Sequence, residues 1–317
     1  MGKLDGGQLV VKALEKEGVK YIFSLSGGHL LRIYNATIES DIKIIDTRHE
    51  QAAGHMAEGW SLSTGEMGVC SVTAGPGLTD AVTAIVNAAQ SNSPMLVLGG
   101  RSGLFENDIG ALQDMNQMAI MEPITKWAKI CYEAKRIPEY ISMAYRQALS
   151  GRPGPVYLEL PFDMLSQEVE EAEVVFPVNS RPKYRPAGDP EAIKEAAALL
   201  EKAERPVIIC GAGGFWSNAS EALTAFAEKT GIPVSSRSYG YGILPSSHPL
   251  AVTGGMLDSM GALMQTDLVM LLGTRLNFTL MYGQFYGPEV KIIQVDIEQT
   301  EIGVNRGPDV GIHGDLK

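Results

Sequence analysis

The chain has 317 residues, enough for two domains at roughly 150 residues each. Its 45% hydrophobic and 20% charged content is that of an ordinary globular protein able to bury a sizeable core. A net charge of -11 without a lysine or arginine cluster argues against nucleic acid and anionic membrane as partners. No apolar run reaches the length of a membrane span, and residues 1–5 lack the apolar segment of a signal peptide. Cys70, Cys131 and Cys210 lie far apart in apolar surroundings. They are expected to be buried core thiols in a reducing cytoplasm, with neither disulfide framework nor metal spacing.

In chain order, Leu9, Val10, Val11 and Leu14 predict a helix over 7–17 stopped by Gly18. A strand over 19–25 runs into Ser26-Gly27-Gly28-His29, where two glycines let the backbone turn and a ligand come close. A helix over 30–39 leads to the β-branched strand 42–46. The chain then turns into a helix whose Ala53, Met56, Ala57 and Trp60 recur at helical spacing until Gly65. Glu50 therefore stands at the carboxyl end of a strand and in the first turn of a helix. Ligands of open α/β sheets bind along that edge. A first-turn glutamate can equally do no more than complement the helix dipole.

Strand 68–73 is nearly all apolar, as a strand buried on both faces is. It feeds Thr73-Ala74-Gly75-Pro76-Gly77 and a helix over 78–89, whose first N–H groups suit an anion or a polar ring edge. Strand 95–98 ends in Gly99-Gly100. Segment 101–123 carries Arg101, Ser102, Glu106, Gln113, Asp114, Asn116 and Gln117 without a pattern and is long for a plain connection, which marks it as a site loop. A helix over 136–149, a Gly-Pro turn and a strand over 156–160 complete a first domain of 1–165. Residues 166–189, glutamate-rich and then proline-rich, read as a linker. The second domain, 190–317, opens with an alanine-rich helix over 191–203. It continues with strand 207–210, a glycine turn over 211–214, helix 217–230, strand 232–235, a helix near 257–265, and strands 268–272 and 291–297. Strands alternate with helices throughout, so both domains are expected to be α/β, each a doubly wound parallel sheet.

Several pieces fall in a telling order: Ser26-Gly27-Gly28-His29, Arg48-His49-Glu50-Gln51-Ala52-Ala53, Thr73-Ala74-Gly75-Pro76-Gly77, Ser93-Pro94, Gly151-Arg152-Pro153-Gly154-Pro155-Val156 and Pro161-Phe162-Asp163. Arg205-Pro206, Gly273-Thr274-Arg275, Gln294-Val295-Asp296-Ile297 and Glu301-Ile302-Gly303 follow in the second half. The series resembles the thiamine-diphosphate enzymes of the acetolactate synthase group. The resemblance implies a pyrimidine-binding domain followed by a Rossmann-like middle domain. It also implies a third domain, marked by Gly-Asp-Gly and a later Asn-Asn, that holds magnesium and the diphosphate. Neither motif occurs, since Gly314-Asp315 is followed by Leu316. A fragment, or a split subunit completed by a separate diphosphate-binding chain, is therefore expected, and within that family a homo-oligomer.

The resemblance also implies roles. Glu50 would hydrogen-bond the pyrimidine N1′ and favour the tautomer that primes the thiazolium carbon. Gly27, Gly28, Thr73, Gly75, Pro76 and Gly77 would frame the ring. His29 would stand beside the donor substrate, as in benzaldehyde-lyase-like members, or be a turn histidine bonded to backbone. Gln113 lies where the synthases carry a glutamine facing the active centre, or is an idle loop residue. Asn87 reads as a helix-packing residue. In the middle domain Gly211, Gly213, Gly273, Arg275 and Asp296 would contact FAD, as in synthases, or ADP, as in oxalyl-CoA decarboxylase-like members, unless the nucleotide has been lost. No metal ligands are expected here, Mg2+ belonging to the absent domain. The implied activity is decarboxylation and carboligation of a 2-keto acid such as pyruvate. A lyase acting on 2-hydroxyacyl-CoA or oxalyl-CoA is the alternative toward which Ser26-Gly27-Gly28-His29 leans. A non-catalytic partner subunit is a third, against which Glu50 and the Gly75 turn argue.

Overall fold

The computed structural model describes residues 2–182, 184–252 and 263–317. The chain forms two compact units that divide between Arg181 and Pro182. In the first, β1 (Lys3–Asp5), β2 (Tyr21–Ser24), β3 (Lys43–Asp46), β4 (Gly68–Val72), β5 (Met95–Arg101), β6 (Ala128–Ile130), β7 (Pro155–Pro161) and β8 (Glu168–Glu170) are the strands. Six of them make one parallel sheet in the order β3-β2-β4-β5-β7-β6. Successive residues of each strand feed opposite faces. Val69, Leu96, Leu98 and Val156 enter the core beneath the helices Gly6–Lys16 and Ile137–Leu149. Cys70, Val72, Met95, Val97 and Tyr157 enter the one beneath Glu50–Thr64 and Pro76–Ser91. Every residue of β4 is buried, which is why its sequence lacks the alternation of a half-exposed strand.

Local chemistry sets the helix ends. Asp5 and Gln8 form a capping box at the start of Gly6–Lys16, with bonds of 2.8 and 2.9 Å. Helix Glu50–Thr64 is capped by the His49 ring, whose Nδ1 accepts from the Gln51 N–H at 3.1 Å, and ends at Gly65 with φ 74°. The turn from β4 into Pro76–Ser91 passes through Gly75 at φ 59°, ψ −118°, a conformation closed to residues with a side chain. A Cβ there would lie 2.8 Å from the Gln113 carbonyl oxygen. The loops after β2, β3, β4 and β5 thus gather at the carboxyl edge of the sheet.

The second unit carries β9 (Pro206–Cys210), β10 (Val234–Ser236), β11 (Leu268–Leu272), β12 (Lys291–Asp296) and β13 (Val310–His313), parallel and in the order β10-β9-β11-β12-β13. Asp189 caps its first helix, Pro190–Lys202. The strand order reverses direction between β9 and β11, where the 211–214 and 273–275 turns meet. Both units are therefore doubly wound α/β sheets, as the pattern predicts. Among the described residues no helix is long and apolar enough to cross a membrane.

The structure departs from the sequence reading in places. β1, β6, β8 and β13 are short edge strands with little apolar periodicity. The helix expected over 217–230 is two pieces, Ala212–Trp216 and Ser220–Thr230, so the 211–214 glycines begin a helical turn. The helix expected near 257–265 lies mostly outside the described residues. The segment read as linker is packed over its first half. β8 pairs antiparallel with β1, Val174 and Phe176 pack on the first core, and Arg181 pairs with Glu17 at 2.8 Å. Beyond that, Arg185 bonds Asp315 of the second unit at 2.9 Å.

Limited proteolysis is expected to cut first within 177–187, where Val178 and Tyr184 are exposed and no helix or strand protects the backbone. First cuts within 168–173 would contradict the β1–β8 pairing. Gly75→Ala is expected to destabilise the first unit by roughly 2–5 kcal/mol in urea unfolding, from backbone strain and overpacking together; a change below about 1 kcal/mol would mean the turn relaxes freely.

Candidate functional site

Four loop ends bring the first-domain candidates together. Thr73, just past β4, is the hub. Its Oγ1 lies 2.9 Å from His29 Nδ1. Side chains added at Gly27 or Gly77 would fall 2.3 and 2.6 Å from Thr73 atoms, so both glycines are where Thr73 packs. The space beside Gly77 also faces Glu50, whose Oε1 is 3.2 Å from where a Cβ would stand. Glu50 is half-buried at the first position of its helix. Among the described residues nothing donates a hydrogen bond to its carboxylate. Its charge is felt by Cys70 behind it, whose thiol is pushed up to about 12, by burial first and by Glu50 second. Cys131 and Cys210 are likewise free, buried and pushed up, to about 11 and about 12, chiefly by burial. All three are protonated packing residues.

His29 is buried, and burial holds its pKa below the ordinary 6.5 against the opposing pull of the Leu112 backbone and the Glu106 charge. The ring is therefore neutral at pH 7. The Nδ1 contact to Thr73 is a side-chain contact, so His29 is more than a turn histidine bonded to backbone. Gln113 sits at φ 58° with its backbone against Gly75, and its side chain is only partly buried. Pro76 is exposed and Gly28 open on its side-chain face.

The loop's inward-turned amide belongs to Gln117, which the sequence reading placed only among the loop's polar residues. Gln117 is 2% exposed, accepts from the Gly75 N–H at 2.7 Å, and donates to Gly100 O and Glu159 Oε2 at 3.0 and 3.1 Å. Glu159 in turn pairs with Arg101 at 2.8 Å and accepts from Tyr157 Oη at 2.9 Å. Glu58 was also missed. This buried carboxylate accepts from Asn87 Nδ2 at 2.8 and 2.7 Å and from Ser91 Oγ at 2.7 Å. Asn87 thus packs the two helices through a hydrogen bond. A glutamate facing an asparagine and a serine from the next helix was the available signal.

His49, Glu50 and Asp80 bring one possible metal-ligating atom each within 4.8 Å of one another. His49 and Asp80 are exposed, and the His49 ring is already the helix cap. The group supports no metal assignment.

In the second unit, Gly211, Gly213 and Gly273 do meet. The Gly213 N–H donates to Gly273 O at 3.1 Å, the Gly211 N–H to Leu272 O at 3.0 Å, and the Gly213 and Gly273 backbones touch. Arg275 is paired with Glu301, Nη1 to Oε1 at 2.6 Å. Asp296 is buried and accepts from the Glu298 N–H at 2.9 Å. Gln294 ties both loops, donating to Thr274 O and accepting from the Gly303 N–H.

For an aminopyrimidine ring the first-domain residues fit. Among the described residues they offer a half-buried carboxylate that takes no donor, with the backbone of Gly77 close against it.

Residues 4–120 match the family described as thiamine pyrophosphate enzyme, N-terminal TPP binding domain, and residues 193–317 match thiamine pyrophosphate enzyme, central domain. The chain is similar to a probable acetolactate synthase large subunit of Methanocaldococcus jannaschii, 40% identical over 326 aligned residues, covering 99% of this chain and 54% of the relative. A probable acetolactate synthase large subunit of Methanococcus aeolicus is 37% identical, covering 99% and 54%. The acetolactate synthase large subunit of Corynebacterium glutamicum is 35% identical, covering 99% and 51%. The chain spans about half the length of these curated relatives. The division between the two folded units falls between the two matched segments. With its glutamate at the sheet edge of a first doubly wound unit and a second such unit following in the chain, the chain belongs to the thiamine pyrophosphate enzyme family and carries its N-terminal and central domains.

Proposed function

We propose that this chain is the pyrimidine-binding and central part of a thiamine-diphosphate-dependent decarboxylase and carboligase acting on a 2-keto acid such as pyruvate, in the manner of an acetolactate synthase. The observation that carries the reading is Glu50, a half-buried carboxylate in a first helical turn that takes no donor among the described residues and lies close to the Gly77 backbone. When bound, the cofactor supplies the nucleophilic carbon and the electron sink. The chain's own residues do the rest. Glu50 would hold a proton for the pyrimidine N1′. Thr73 contacts the His29 ring, and the missing side chain at Gly77 lets the turn backbone approach Thr73 and Glu50 closely. The diphosphate and its Mg2+ fall to a diphosphate-binding domain or subunit, and the complete site to a homo-oligomer. A nucleotide in the second-domain crevice would have to displace Glu301 from Arg275.

A second reading is a lyase acting on 2-hydroxyacyl-CoA or oxalyl-CoA. The buried, neutral His29 beside Thr73 favours it, since such a ring can exchange a proton with a substrate hydroxyl. Acetolactate formed from pyruvate, against formyl-CoA released from an acyl-CoA, separates the two.

Glu50→Gln, assayed with the diphosphate-binding domain present, is expected to lower kcat by about 100-fold or more with the fold unchanged by circular dichroism. Turnover within tenfold of the parent would remove Glu50 from its assigned role. For His29 the sign follows from its depressed pKa. The unfolded chain takes up the proton first as pH falls through 6.5. The neutral ring's contribution to stability is thus full above that value and lost below it, until the folded form is protonated too. The melting temperature is expected to drop between pH 7 and pH 5, with a shallower drop in His29→Gln. Parallel curves would mean that His29 is not held neutral by burial.

A further inference from the structure

The loop 101–117 contributes to the site from behind. Gln117 is almost wholly buried and has three committed contacts besides a longer one of 3.4 Å to Tyr157 Oη. Its amide cannot turn over. Nε2 is bound to two acceptors, Gly100 O and a Glu159 oxygen, so Oε1 must face the Gly75 N–H. Glu159, 1% exposed, is kept in place by Arg101 and by the Tyr157 hydroxyl. The chain of contacts thus runs from an ion pair at the ends of β5 and β7, through one amide, to the backbone of the turn that carries Pro76 and Gly77. Gly75 also lies against the Gln113 backbone, so the turn is gripped from the loop side twice. Gly77 in turn lies close against Glu50, whose Oε1 is 3.2 Å from where a Gly77 Cβ would stand.

We infer that Gln117 is a positioning residue. By orienting the Gly75 N–H it sets the distance between the Gly77 backbone and Glu50, and with it the slot for the pyrimidine ring. Polarity, not bulk, is what the position requires. A side chain that fills the space with neither acceptor nor donor removes the Gln117 partner of the buried Gly75 N–H and Gly100 carbonyl. This role rests on the cofactor reading for its consequence, but not for its geometry.

The test uses this chain, with the diphosphate-binding domain added for cofactor measurements. Three forms are compared with the parent: Gln117→Leu, the double variant Gln117→Glu with Glu159→Gln, and Ile141→Val as a destabilised control in the core beneath the opposite face of the sheet. In the double variant a carboxylate at 117 still accepts from Gly75 and an amide at 159 restores a donor between the two, while the Gly100 carbonyl loses its donor. In Gln117→Leu the Gly75 amide is expected to exchange with solvent on the order of a hundredfold faster. Thiamine diphosphate affinity should fall about tenfold or more, with kcat at saturating cofactor reduced less. The double variant should recover the Gly75 protection and part of the affinity, and Ile141→Val should leave cofactor affinity unchanged. Unchanged Gly75 exchange in Gln117→Leu overturns the proposal, as does a failure of the double variant to restore Gly75 protection. An equal loss of affinity in Ile141→Val also overturns it, because the effect is then one of stability alone. Glu50→Gln run in parallel keeps the two ideas apart. Full turnover in that variant sinks the cofactor reading, while Gly75 exchange still decides the role of Gln117.

Discussion

The seat of Glu50 depends on a hydroxyl far from it along the same helix. Ser61 is fully buried, donates to Pro94 O at 2.7 Å and accepts from the Gly68 N–H at 2.9 Å. It thereby pins the end of helix Glu50–Thr64 to the starts of β4 and β5. The approach is close enough that a side chain on residue 68 would collide with the Ala57 carbonyl. A helix fixed at its last turn against the amino ends of two parallel strands must present its first turn at their carboxyl ends. Glu50 is at the site because Ser61 and Gly68 are at the opposite edge.

Between those two ends the same helix carries Glu58, and the pair is instructive. Burying a carboxylate is costly unless hydrogen bonds replace its water. Glu58 is nearly inaccessible and takes donors from Asn87 and Ser91, which join the helix to its neighbour and hold Glu50 in register with Gly77. Glu50, half-buried, has no such donors. Two turns separate a glutamate satisfied by the fold from one left for something the fold does not contain. Electrostatically the second is the weaker element of the free protein and the one that gains most from a ligand offering an N–H or a shared proton.

Much of this was legible in the sequence. The runs that became β2, β4, β5, β7, β9, β11 and β12 are apolar because both faces of a parallel sheet are covered, and their spacing announced the doubly wound class. The glycine turns and Glu50 could be placed at the carboxyl edge because a strand followed by a helix leaves nowhere else for them. The edge strands could not be read this way. Ala128–Ile130 and Glu168–Glu170 are three residues each, and the second lies in an acidic stretch that resembles a linker. Its pairing with Lys3–Asp5 is decided by partners far away in sequence. Loop 101–117 shows the same limit. Gln113 and Gln117 are alike in composition and context, and only tertiary contacts decide that Gln117 turns inward while Gln113 contributes its backbone. Nothing local in the sequence encodes that choice.

The two sheets, similar in topology, differ in what a ligand would have to break. At the second-domain crevice, the Gly213 N–H is bound to Gly273 O, the Arg275 guanidinium to Glu301, and Asp296 to the Glu298 backbone. An anionic ligand there must exchange one charge-assisted bond for another and so gains only the difference between them. At Glu50 nothing need be exchanged, because the carboxylate has no donor to give up, while the turn before it is already held by Gln117 and the ring beside it by Thr73. A site whose neighbouring turn and ring are held by hydrogen bonds and whose carboxylate is not is preorganised for one contact. That contact lies within reach of Glu50 Oε1.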